Sequence, residues 1–164
     1  MSTYLNLTNE LLRRMGEVVI DSSDFSGARN VQGLAKNAIN SAIRDVLHSA
    51  QEWPFTLVTY TQTLTVGQHT YDLPASASSV DWDSFYLKNF NSSVSAAQLP
   101  TVSYSNYLST NRARDDNAGT GGYAPPRTVF QTQELKFGVT PAPNETYVVE
   151  YKYWTFPTDL VDFG

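Results

Sequence analysis

Residues 31–66, VQGLAKNAINSAIRDVLHSAQEWPFTLVTYTQTLTV, decide the fold, because their hydrophobic period changes once, at Trp53-Pro54. Upstream, Val31, Leu34, Ala35, Ala38, Ile39, Ala42, Ile43, Val46, Leu47 and Ala50 recur at spacings of three and four. That spacing is the mark of an amphipathic helix of about five turns. Its apolar stripe is rich in alanine, which lets another helix approach closely. Pro54 biases Trp53 out of the helical region and ends the segment. Downstream, Phe55–Val66 is a run of β-branched and aromatic residues that alternates in TQTLTV, as a strand does.

Toward the N-terminus, Leu5, Leu11, Leu12 and Met15 share one helical face, Ser2 or Thr3 is placed to cap its start, and Gly16 to stop it. Residues 21–29 connect this helix to the long one. Toward the C-terminus, Gly67-Gln68 reads as a turn, and His69–Leu73 as the second arm of a hairpin closed by Pro74. Ala75–Ser79 reads as a loop. Val80–Lys88 reads as a strand with Val80, Trp82, Ser84 and Tyr86 on one side. A short helix is predicted at Tyr104–Leu108, and strands at Arg127–Gln131, Glu134–Val139 and Thr146–Trp154. Helices precede strands in a block, which predicts an α+β fold: an N-terminal helical hairpin plus an antiparallel β-sandwich or barrel-like sheet. A helical region (1–54) and an antiparallel β domain (55–164) follow, with no parallel βαβ unit in residues 55–154. Ile39 and Ile43 are expected to be buried, with Ile43→Ala costing about 2–5 kcal/mol.

The 164 residues carry a net charge of −5, and 41% are apolar and 13% aromatic, so the chain has ample surface to bury. Only 16% are charged, against roughly 25% in soluble domains. A surface of hydroxyls, amides and tyrosines in place of charge suits contact with other molecules. There is no cysteine, which excludes disulfides, thiolate zinc sites and thiol chemistry. No apolar stretch is long enough to span a bilayer. The N-terminus, with its arginines after its leucines, reverses the order of a signal peptide, so a soluble, intracellular chain is expected. Net acidity disfavours a sequence-reading nucleic-acid binder, which needs a basic face.

Nothing reads as catalytic, cofactor-binding or metal-ligating. His48 and His69 lie in no metal or catalytic pattern. Asp81 and Asp83 flank Trp82 and could serve glycoside chemistry or hold a cation, but solvent-facing partners of a buried Trp82 are the simpler reading. The surplus is aromatic: Tyr104, Tyr107, Tyr123, Tyr147, Tyr151, Tyr153 and Trp154. Such residues serve interfaces, and about half are expected to pack the sheet. With Trp82 they could also form the stacking platform of a carbohydrate- or peptide-binding β-module. Residues 111–126, NRARDDNAGTGGYAPP, form the one long irregular stretch, a length that is usually functional or disordered. Arg112, Arg114, Asp115 and Asp116 present both signs of charge and Tyr123 an anchor, so this loop reads as an interface arm.

Taken in order, LLRRMGE, the long helix ending in EWPF, TQTLTVGQHTYDLP, VDWDSFYL and YVVEYKYWTFPTDL resemble the head-to-tail connector, or adaptor, proteins of tailed bacteriophages. The chain is similar in this to podophage tail tubular protein A. The resemblance implies a structural virion protein without enzymatic activity, made in the host cytoplasm. It would form a twelve-fold homo-oligomeric ring that joins the portal protein to the tail nozzle or tail tube. DNA would pass through the lumen without sequence-specific binding, and no membrane would be involved. Such proteins usually continue with further helices that pack on the N-terminal pair. Here the sequence stops at Asp162-Phe163-Gly164, so neighbouring subunits or the portal are expected to cover the long helix.

Overall fold

The computed structural model describes residues 3–49, 52–91, 94–113, 122–132, 135–156 and 158–161. They form two compact units. One runs to Trp53 and includes the segment after Phe156; the other is Pro54–Phe156.

In the first unit α1 spans Tyr4–Met15 and α2 spans Asn30–His48. Thr3 caps α1 by accepting the Asn6 N–H at 3.2 Å. Gly16 ends it in the left-handed conformation, φ 74°, with its N–H donated to Arg13. The small core is Tyr4, Leu12, Ile20, Phe25 and Ala35. Polar side chains brace the non-helical connection around it. The Asn9 amide donates to the Ile20 carbonyl at 2.9 Å and accepts the Ile20 N–H at 2.7 Å, imitating a strand partner. The Lys36 ammonium donates to the Phe25 carbonyl at 2.8 Å while lying 4.2 Å above the Phe25 ring.

The second unit holds eight strands among the described residues: β1 Leu57–Leu64, β2 Thr70–Asp72, β3 Ala77–Asn91, β4 Val94–Gln98, β5 Thr101–Val102, β6 Thr128–Gln131, β7 Lys136–Thr140 and β8 Tyr147–Thr155. A short α3, Tyr104–Thr110, precedes β6. The strands form two four-stranded sheets, ordered β1-β8-β3-β4 and β2-β7-β6-β5. Leu64, Phe85, Leu87, Tyr147, Val149, Tyr151 and Tyr153 of the first share one core with Tyr71, Val129, Phe137 and Val139 of the second. At its centre the Tyr151 ring stacks on Phe85 at 4.6 Å and meets Phe137 edge-on at 5.4 Å. The fold is α+β, with helices ahead of a two-sheet sandwich.

The structure differs from several of these expectations, beginning with Ala77–Ser79, which open β3 rather than lie in a loop. β1 and β2 do not form a hairpin; β1 pairs with β8 and β2 with β7, so the turn at Gly67 carries the chain from one sheet to the other. The second sheet is mixed rather than antiparallel throughout, and residues 55–154 do contain a parallel βαβ unit, contrary to expectation: β5 runs parallel to β6 over two residue pairs, with α3 in the connection. This short parallel connection was not legible because β5 is only two residues long. In β3 the alternation breaks between Asp81 and Tyr86, so Phe85 and Leu87 face inward and Tyr86 outward. Side chains satisfy this bulge: Ser84 donates to the Asp81 carbonyl, Thr101 to that of Trp82 and Gln98 to that of Asp83. Finally, Ile39 and Ile43 are half-buried, and on α2 only Ala35 is buried.

Tyr147 makes stability depend on alkaline pH. Burial and the hydrogen bond it donates to Glu145, 2.8 Å long, push its hydroxyl up to about 12 from 10.0. A raised native pKa means the folded chain holds this proton more tightly than the unfolded one. Its contribution is therefore complete below pH 10 and is lost as pH rises from 10 toward 12. Urea midpoints across that range should fall more for the wild type than for Tyr147→Phe; parallel curves would refute the assignment.

Candidate assembly surface

The apolar stripe of α2 stands in the structure largely as a surface. Leu34 and Val46 are 67% and 58% exposed, Ala38 and Ala42 are exposed, and Ile39, Ile43 and Leu47 are half-buried. A helix with this pattern in a finished fold would bury most of it. Beside the stripe, Asn40 and Arg44 bind the C-terminal segment. The Asn40 amide donates to the Leu160 carbonyl and accepts the Leu160 N–H, both at 3.1 Å. Arg44 grips both carboxylate oxygens of Asp159, at 2.9 and 3.0 Å. The sequence reading missed this pair; the only signal was an asparagine and an arginine four apart on an alanine-rich helix.

With Ile43 half-buried, Ile43→Ala should cost the isolated chain about 1 kcal/mol rather than the 2–5 expected of a core residue. Its larger effect should be on self-association, read as a shift of the sedimentation distribution toward smaller species. A large loss of thermal stability with unchanged association would show the side chain to be core.

Of the proposed interface arm, Arg114, Asp115 and Asp116 lie outside the described residues. Arg112 is exposed just beyond α3. Tyr123 is 38% exposed and rests its hydroxyl end over Gly67, where an added Cβ would come within 2.8 Å of it. Gly67, at φ 75°, donates its N–H to the Pro143 carbonyl at 2.9 Å. Ala124 donates to Ala142 at 3.0 Å, and Pro126 is buried. The return end of the arm is thus seated on the sandwich.

Burial divides the surplus aromatic residues: Tyr104 and Trp154 are half-buried and Tyr123 is exposed. Tyr107, Tyr147, Tyr151 and Tyr153 are all buried, and Trp82 is half-buried and stacked on Phe85 at 5.5 Å. Stacking on Phe85 commits one face of the Trp82 ring to the core. Asp81 spends a carboxylate oxygen on the Asp83 N–H within the bulge, 3.2 Å away. His69 stacks on Tyr107, and His48 is exposed at the end of α2. No group of three or more metal-ligating side chains occurs among the described residues, and no helix of theirs is long and apolar enough to cross a membrane.

The family model of the SU10 adaptor protein matches residues 2–164. The chain belongs to the SU10 adaptor family. No curated protein matches it. As an SU10 adaptor it is a phage structural protein, of a non-enzymatic kind. Among the described residues the α2 stripe leaves Leu34 and Val46 exposed, an apolar surface suited to contact with a neighbour.

Proposed function

We propose that this SU10 adaptor assembles into a homo-oligomeric ring that joins the portal protein to the tail nozzle or tail tube of the virion and surrounds the DNA exit channel. The observation that carries the proposal is α2: a five-turn apolar stripe with Leu34 and Val46 exposed asks for a cover that the described chain does not supply. Twelve copies, and a kinship with podophage tail tubular protein A, follow from the resemblance of the sequence motifs. The net charge of −5 suits a channel that lets DNA slide without gripping it. Mixing purified chain with its portal and measuring the mass of the complex tests this directly. A ring of defined copy number on the portal is the expected result. A chain that stays monomeric and does not bind the portal refutes the role.

Within that ring, residues 111–126 act as an arm contacting a neighbouring subunit or the portal, through Arg112, Arg114, Asp115, Asp116 and Tyr123. Opposite charges on one short stretch suit a subunit meeting its own copy, and the seated return end limits the entropy lost on contact. Deleting residues 115–122 should leave the melting of the chain intact while weakening ring or portal association about tenfold or more, a change of roughly 1.4 kcal/mol. Unchanged assembly after the deletion would remove the arm from the interface.

A further inference from the structure

The two sheets treat their edges differently. In the second sheet, β2 is three residues long, ends in Asp72 paired with Lys136, and is followed by Pro74; β5 is two residues long and follows Pro100. Short, charged, proline-flanked edges resist pairing with another chain. The first sheet has the opposite design. Its outer strands are β1, eight residues, and β4, five residues, and neither LVTYTQTL nor VSAAQ contains a charge or a proline. In a chain of net charge −5, these neutral strands are where two copies meet with least repulsion.

The core is also left open at β1. Val58 and Tyr60 stand opposite Tyr153 and Tyr151 on the inner side of the sheet, yet remain 39% and 37% exposed because no strand stands beyond them. The other edge is its counterpart in size. On the inner side of β4, Ala97 stands opposite the fully buried Leu87, with only a methyl group to offer. Strand direction agrees as well. Each of the three neighbouring pairs in β1-β8-β3-β4 is antiparallel, so β4 runs opposite to β1. A second copy in the same orientation, as in a rotational ring, therefore brings its β1 antiparallel to β4 of the first.

We infer that β1 of one subunit pairs with β4 of the next, so that the first sheet continues from copy to copy. Tyr60 and Val58 then pack beside the small Ala97 of the neighbour. Two different edges make the contact head-to-tail, and closing the ring leaves neither strand unpaired. The inference rests on the ring reading above but specifies a join that a ring does not require.

The absence of cysteine makes the test clean. Thr59, Thr61 and Ala96 lie on the outer side of the sheet, opposite Lys152, Glu150 and Lys88, so cysteines there leave the core untouched. Thr59→Cys or Thr61→Cys, each combined with Ala96→Cys, is oxidised mildly in the assembled ring, on the portal if assembly needs it. Non-reducing gels should show trimers and longer ladders for one combination, and no ladder for any single variant. Circular dichroism of each variant establishes that it is folded. Rings of normal mass with no ladder in either combination overturn the β1–β4 join and leave the ring reading standing. Dimers from Thr61→Cys alone overturn it in favour of a symmetric β1–β1 contact. A chain that forms no oligomer, with or without portal, overturns the ring reading and this inference together.

Discussion

Gly138→Ala is expected to cost the β unit on the order of 3 kcal/mol or more, the upper part of the range for forcing atoms into a packed core. Gly138 on β7 is the register partner of Phe130 on β6. A Cβ at that position would lie 2.0, 2.3 and 2.6 Å from three atoms at the tip of the Phe130 ring. The ring has nowhere to retreat: it is fully buried, and Tyr107 stacks on it at 3.8 Å. Accommodation would have to move α3 or part the β6–β7 ladder. The melting temperature should fall by more than about 10 °C, on the scaling of a few degrees per kcal/mol for a unit of this size. Melting within a degree or two of wild type would show that the Phe130 ring is not held over Gly138.

Phe85→Ala should cost about 3–5 kcal/mol, as removal of a buried aromatic ring does. Phe85 is fully buried and is touched by Trp82, Phe137 and Tyr151 at ring separations of 5.5, 5.3 and 4.6 Å. Its loss would open a void where the two sheets meet. Phe55→Ala is the matched control, since Phe55 is 72% exposed and its truncation should change stability by about 0.5 kcal/mol or less. Equal denaturant midpoints for the two variants would contradict the placement of Phe85 at the sandwich centre.

The surroundings of Phe85 also show which parts of the fold are written locally in the chain and which are not. The switch of period at Trp53-Pro54 separated helices from strands, and Thr3 and Gly16 bounded α1 as their chemistry requires. Strict alternation puts Val80, Trp82, Ser84 and Tyr86 on one side; the bulge between Asp81 and Tyr86 reverses the parity and turns Phe85 into the core. A bulge held by Ser84, Gln98 and Thr101 depends on partners up to 19 residues away and leaves no local signal. β1 and β2 read as a hairpin because a Gly turn between two strands usually makes one. Here the strands' partners, β8 and β7, lie far along the chain. Among the site residues, the α2 stripe was fully legible as apolar, but whether it faced the chain's own core was not. Periodicity says that a face wants burial, and only the tertiary contacts say whether the chain itself provides it.

The proposed place of this SU10 adaptor is in a ring between portal and tail. A cryo-electron reconstruction of the virion neck tests it most directly. The expected result is a ring of copies of this chain below the portal, with the α2 stripe covered by a neighbouring subunit or by the portal. A neck in which this chain is absent, or is present with the α2 stripe facing solvent, would contradict it.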